Sequence, residues 1–182
     1  MKRIKKGEYG YRNSMKRGLL FKIAILAAFI LAQLGARWLT DSTALKNILT
    51  VMAANLASPY VAVLPFKTPA RDFYERMRPF EDKCQVLYDL VLTTKDDILP
   101  MDAILVHPAG IYAYCTNKKA DAARAEKALN EILKANRLDP NFRITKELSS
   151  FEKRAKSLKP ASEYEDDGSV EYGVNVMKGL SM

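Results

Sequence analysis

MDAILVHPAGIYAYCTN, Met101–Asn117, is two β-prone runs around one turn. Met101–Val106 and Ile111–Thr116 are rich in branched and aromatic side chains, which suit a pleated, half-buried surface. His107-Pro108-Ala109-Gly110 lies between them. Proline fixes φ there and glycine permits a positive φ, so the four residues supply turn chemistry. The stretch predicts a β-hairpin, and the hairpin sets the fold class of the second half of the chain.

Reading outward, Cys84–Leu92 is rich in Val, Leu and Tyr and predicts another strand. Thr93–Pro100 is polar and reads as the turn between them. Further upstream, Asp72–Met77 predicts a short helix capped at Asp72, with Pro79 breaking or kinking it. Downstream, Asp121–Leu138 is helical, with Ala125, Leu129, Ile132 and Leu133 on one stripe and Pro140 ending it. Phe142–Ile144 suits a further short strand. Lys146–Leu158 is a second amphipathic helix with Leu148, Phe151, Ala155 and Leu158 inward. Residues 72–160 therefore predict one small α/β or α+β domain, with Ile104, Val106, Ile111, Leu129 and Ile132 in its core. The tail, 161–182, is polar and locally acidic through Glu163, Glu165, Asp166 and Asp167. It is expected to be disordered; the alternation of Val170, Tyr172, Val174 and Val176 leaves a late edge strand open.

The first part of the chain has another character. Residues 1–17 carry Lys2, Arg3, Lys5, Lys6, Arg12, Lys16 and Arg17 against Glu8 alone, much of the formal net charge of +8. Two apolar stretches follow, Gly18–Ala36 and Leu45–Phe66. Each has the length of about 20 residues that a helix needs to cross a bilayer core. Residues 18–66 are expected to form a two-helix transmembrane hairpin with its turn at Arg37–Lys46. Lys67, Arg71, Arg76 and Arg78 flank the far end, so both termini are expected in the cytoplasm and the turn outside. The first stretch is too long for the apolar core of a cleaved leader, which predicts a retained anchor in the cell membrane. Asn47, Asn55, Ser58 and Pro59 make the second stretch the weaker span, and a re-entrant helix stays open there. Residues 67–71 read as a connector.

Cys84 and Cys115 are the only cysteines and His107 the only histidine. That excludes a disulfide framework and a four-ligand structural zinc site. Cys115, in a Tyr-rich run, reads as a small buried hydrophobe, and His107, before a proline turn, as a surface residue.

VLYDLVL (Val86–Leu92) followed by MDAILVHPAGIYAYCTN resembles the core of the nuclease-related domain, the NERD family of the PD-(D/E)xK nuclease-like superfamily. The resemblance implies a three- to four-stranded mixed sheet flanked by helices. It also implies a site. An Asp opening one strand and a Glu on the next share Mg²⁺, a hard cation that prefers carboxylate and water oxygens. A Lys two residues past the Glu returns to the same strand face and offsets transition-state charge. Asp102 occupies the first of these positions, but Cys115 stands at the Glu position and Asn117 at the Lys position. A thiol is a poor Mg²⁺ ligand and an amide brings no charge. Glu75 or Glu81 corresponds to the acidic residue of the family's first helix, and Lys118 or Lys119 is the nearest substitute for the lysine.

These residues predict a degenerate, non-catalytic pseudoenzyme: a membrane-anchored protein whose cytosolic nuclease-like domain serves as a binding or assembly module, with no catalytic residue, metal or cofactor. Its partners are the lipid bilayer and a protein or nucleic acid at the cytoplasmic face. Two alternatives stay open. One is a metal-dependent nuclease with a migrated active site, using Mg²⁺ through Asp102. The other is a small integral-membrane structural subunit unrelated to nucleases.

Overall fold

The structure is a computed structural model that describes residues 4–36, 51, 55, 58, 61, 63–95 and 97–182, without the side chains of residues 29 and 32–36. It divides into two compact units, Arg12–Lys67 on one hand and Met1–Tyr11 with Thr68–Met182 on the other.

In the unit Arg12–Lys67, the first apolar stretch is helical. Helix α1 spans Tyr11–Ala36. Leu20, Phe21, Ile25 and Leu31 are exposed on it, and no single apolar stripe runs along it. In the second stretch, Val51, Asn55, Ser58 and Val61 are helical and exposed. The two stretches meet at their polar ends. Lys16 Nζ donates to the carbonyls of Leu64 at 2.9 Å and Phe66 at 2.5 Å, and the Arg12 guanidinium donates to the Lys67 carbonyl. Among the described residues no helix is long and apolar enough to cross a membrane. The start of α1, Tyr11–Arg17, is polar. The expected transmembrane hairpin is therefore not shown; its turn and most of its second helix lie outside the described residues.

The other unit is built on a four-stranded sheet in the order β1 (Gln85–Thr93), β2 (Ile98–His107), β3 (Gly110–Tyr114), β4 (Phe142–Thr145). The first three strands form an antiparallel meander and β4 runs parallel to β3. The sheet is therefore mixed. Its hairpin turns at Pro108-Ala109, with Val106 opposite Ile111 and His107 opposite Gly110. The parallel pairing requires a crossover, which α3 (Ala122–Ala135) supplies. Asp121 caps α3 by accepting the Arg124 N–H at 3.2 Å, the expected role of a short acid at that position. Helix α2 (Arg71–Met77) precedes the sheet and runs into a 3₁₀ turn at Arg78–Phe80 that holds Pro79. Its N-cap is Ala70, not Asp72, which falls in the first turn. Helices α4 (Leu148–Ser157) and α5 (Ser169–Leu180) complete the unit.

Each face of the sheet has its own apolar core. On one, Leu87, Leu90, Met101, Ile104, Val106 and Ile111 pack with Leu129 and Leu133 of α3 and with Val174 and Met177 of α5. On the other, Tyr88, Leu105, Tyr112 and Tyr114 pack with Phe73 and Met77 of α2 and with Phe151 and Ala155 of α4. Of the expected core, Ile104, Val106, Ile111 and Leu129 are buried, and Ile132 is half-buried against them.

Three further expectations need correction. The polar turn is shorter than Thr93–Pro100, because β2 begins at Ile98 and pairs Leu99 with Leu92. Residues 161–182, expected to be disordered, carry a 3₁₀ turn at Ala161–Glu163 and the helix α5. The valine alternation there is also a helical stripe: Val170, Val174 and Met177 sit at i, i+4 and i+7, and that face enters the core. Finally, His107 is buried, as described below.

The chain ends cover the β1 edge, which would otherwise present unpaired backbone groups. The Tyr88 N–H donates to the Gly7 carbonyl at 2.7 Å, and the Met182 N–H to the Val91 carbonyl at 3.1 Å. Lys6 Nζ donates to the Ser181 carbonyl at 2.6 Å, and the Tyr11 hydroxyl to the Met182 carbonyl at 3.1 Å.

Candidate functional site

The sequence-predicted site centres on Asp102, in the middle of β2. It is almost fully buried, at 4 % exposure. Its Oδ2 accepts the Thr116 N–H at 2.9 Å and the Thr116 hydroxyl at 2.7 Å. The carboxylate thus ties down the chain as it leaves β3. Charge-assisted bonds of this length are the strong kind. Burial raises the pKa of the neighbouring Tyr114 hydroxyl, and the Asp102 charge raises it further.

A second aspartate stands across from it. In the β1–β2 register Tyr88 faces Ala103 and Leu90 faces Met101, so Asp89 and Asp102 fall opposite each other. Asp89 is fully buried and has a φ of 58°, a conformation Asp tolerates better than most residues. Its Oδ2 accepts the Gly10 N–H at 2.9 Å. Both strands lose their regular alternation at this point. Leu87 and Leu90, three apart, share one core, as do Met101 and Ile104. The sequence reading missed Asp89. The signal was an aspartate in the middle of the apolar run VLYDLVL.

The other sequence-predicted positions do not join this pair in one site. Cys115 is fully buried in the α3/α5 core, and its N–H donates to the Thr145 carbonyl at 3.1 Å, extending the β3–β4 pairing. Asn117 is half-buried, and its Oδ1 accepts the Lys119 N–H at 3.1 Å, closing a tight turn. Lys118 and Lys119 are exposed on that turn. Glu75 pairs with Arg71 at 3.0 Å on the exposed side of α2. Glu81 accepts the Tyr88 hydroxyl at 2.8 Å. Burial first, and this bond next, hold the Tyr88 pKa far above its ordinary value. No group of three or more His, Cys, Asp or Glu side chains that could hold a metal ion is present among the described residues.

No family model, no curated protein and no solved structure matches the chain. Site chemistry therefore rests on the geometry alone.

His107, expected at the surface, is only 3 % exposed. Its Nδ1 accepts the Ala109 N–H at 3.0 Å, so Nε2 carries the proton and donates to the Lys159 carbonyl at 2.9 Å. Tyr164 packs edge-on against the ring, with centroids 5.0 Å apart. Nδ1 thus closes the hairpin turn, and Nε2 fastens the segment after α4 to it. Cys84 is buried, its Sγ lies 3.3 Å from the Phe80 carbonyl, and burial pushes its thiol pKa up to about 12. A thiol so far above neutral is a poor nucleophile.

Beside His107 the surface is concave. A groove of about 640 Å³ runs between the start of β1, the hairpin turn and the segment 161–174.

Proposed function

We propose that this chain is a membrane-anchored protein whose nuclease-like domain faces the cytoplasm, has lost catalysis and serves as a binding or assembly module. One observation carries the loss of catalysis. Asp102 spends an oxygen on two bonds to Thr116, while Cys115 at the Glu position is sealed in the core under α3 and α5. The nuclease-like reading is supported by the order of elements: a helix, a strand, the Asp-bearing hairpin and a mixed four-stranded sheet. The anchor is supported by exposed apolar side chains on α1, since a helix apolar on all sides suits lipid. Lys16 and Arg12 bond carbonyls at the end of the second stretch and just past it, which brings both ends of the apolar region together, as a hairpin with both flanks on one side requires.

Two measurements test this. Carbonate-washed membranes should retain the full-length chain, and its release would remove the anchor. The purified chain in neutral detergent should cut neither single- nor double-stranded DNA with Mg²⁺ or Mn²⁺. Cutting that Asp102→Ala abolishes would overturn the non-catalytic reading.

A second reading has one observation in its favour. Asp89 and Asp102 are buried opposite each other on neighbouring strands, and Mg²⁺ is commonly held through one or two carboxylates. In that case Asp89→Asn would abolish cutting as fully as Asp102→Ala.

A further inference from the structure

We propose that the groove between β1, the hairpin turn and the start of α5 binds a Lys/Arg-rich peptide segment of a partner protein. This deepens the reading of the unit as a binding module and does not depend on the membrane anchor.

Four observations carry it. The first is shape: the groove is concave, open to solvent and about 640 Å³ in volume. The second is charge. Glu81, Asp82, Glu165, Asp166, Asp167 and Glu171 line it, with Lys83 the one cation of the lining, and all six carboxylates are exposed. They concentrate negative charge in a chain whose net charge is +8, so the groove would draw in a cationic segment that the rest of the surface repels. Lys83 offsets only one of the six charges. Its Nζ turns to the carbonyls of Lys156 at 3.3 Å and Leu158 at 3.2 Å.

The third observation is the apolar share of the lining, Cys84, Pro108, Val170 and Val174, with Tyr164 beside them. Tyr164 is exposed, and its ring is held by His107. An exposed aromatic among carboxylates suits the long apolar stems and charged heads of Lys and Arg. The fourth is that the walls are already tied together. The Ala161 N–H donates to the Lys83 carbonyl at 2.9 Å, and His107 holds the Lys159 carbonyl. A formed groove loses little conformational entropy on binding. Hydrogen bonds from Ser169 hold the Asp167 carboxyl below its ordinary pKa, so it stays charged well below neutral pH.

The test is fluorescence anisotropy of a fluorescein-labelled Arg/Lys hexapeptide with the full-length chain in neutral detergent at low salt. The groove variant is the triple Asp166→Asn, Asp167→Asn, Glu171→Gln. Asp166 and Asp167 accept the Gly168 and Ser169 N–H groups, and asparagine keeps that acceptor while removing the charge. Binding should weaken about tenfold or more, as three screened charge contacts would give. Tyr164→Ala should weaken it a few-fold. A control triple at exposed acids outside the groove, Glu131→Gln, Asp139→Asn and Glu147→Gln, should leave binding unchanged. Absence of binding by the parent, or equal loss in both triples, would overturn the groove assignment. So would displacement of the peptide by stoichiometric Ca²⁺, which would make the groove a cation site. Peptide failure without metal-dependent cleavage would sink only the groove. Cleavage lost in Asp102→Ala would sink the non-catalytic reading whatever the peptide does.

Discussion

Leu129→Ala should destabilise the chain by about 2–5 kcal/mol, the range for emptying a well-packed leucine site. Leu129 has no exposed surface. It lies in the middle of α3, among side chains from β2, β3, β4 and α5. A cavity here has rigid strands on one side and a crossover helix on the other, so little can collapse into it. Ile132, on the same helix but only partly buried, is the internal comparison, and Ile132→Ala should cost distinctly less. Urea unfolding followed by the circular dichroism of the full-length chain in neutral detergent would measure both. A change below about half a kcal/mol for Leu129→Ala would remove α3 from the core, since surface substitutions stay within that limit.

Leu129 was legible in the sequence because α3 announces itself. Asp121 caps it, its apolar residues recur at helical spacing, and Pro140 follows. The hairpin was as plain, since branched and aromatic runs flank a Pro-Ala-Gly turn. What stayed hidden depends on contacts distant along the chain. His107 looks like a turn residue until the Lys159 carbonyl, 52 positions on, accepts its Nε2–H bond. Helix α5 was obscured because its valines fit a period of two as well as a helical stripe. Only the packing of Val174 and Met177 against the sheet decides between them. The candidate site shows the same division. Asp102, Cys115 and Asn117 could be picked out by residue type. That Thr116, 14 residues on, would take the Asp102 carboxylate could not. Asp89 was passed over because an isolated acid in a strand reads as an interruption. Its left-handed backbone and its place opposite Asp102 exist only once the strands pair.

Gly110→Ala should cost at least about 3 kcal/mol, well above the effect of the same change at Gly168. Both glycines have positive φ, 135° at Gly110 and 74° at Gly168. Both substitutions therefore carry a backbone penalty, about 1–2 kcal/mol in the left-handed helical region and as much or more at the wider angle. They differ in space. A Cβ on Gly168 meets nothing within 4 Å, whereas one on Gly110 falls 2.6 Å from Asn141 Nδ2 and 2.8 Å from the Asn141 carbonyl oxygen. The side chain is not free to swing aside, because its Nδ2 donates to the Ala109 carbonyl at 2.8 Å. The carbonyl oxygen is held more firmly, because it accepts the Ile111 N–H at 2.9 Å as β4 begins beside β3. Relieving the clash means moving the entry of β4, and with it Phe142, which is fully buried in the core. The Gly110 variant should therefore unfold at clearly lower urea than the Gly168 variant. Equal midpoints would mean that only backbone strain matters at the turn and that Asn141 does not pack against it. A clearly larger loss at Gly110 than at Gly168 would identify the hairpin turn as the point where the meander and the parallel strand are locked together.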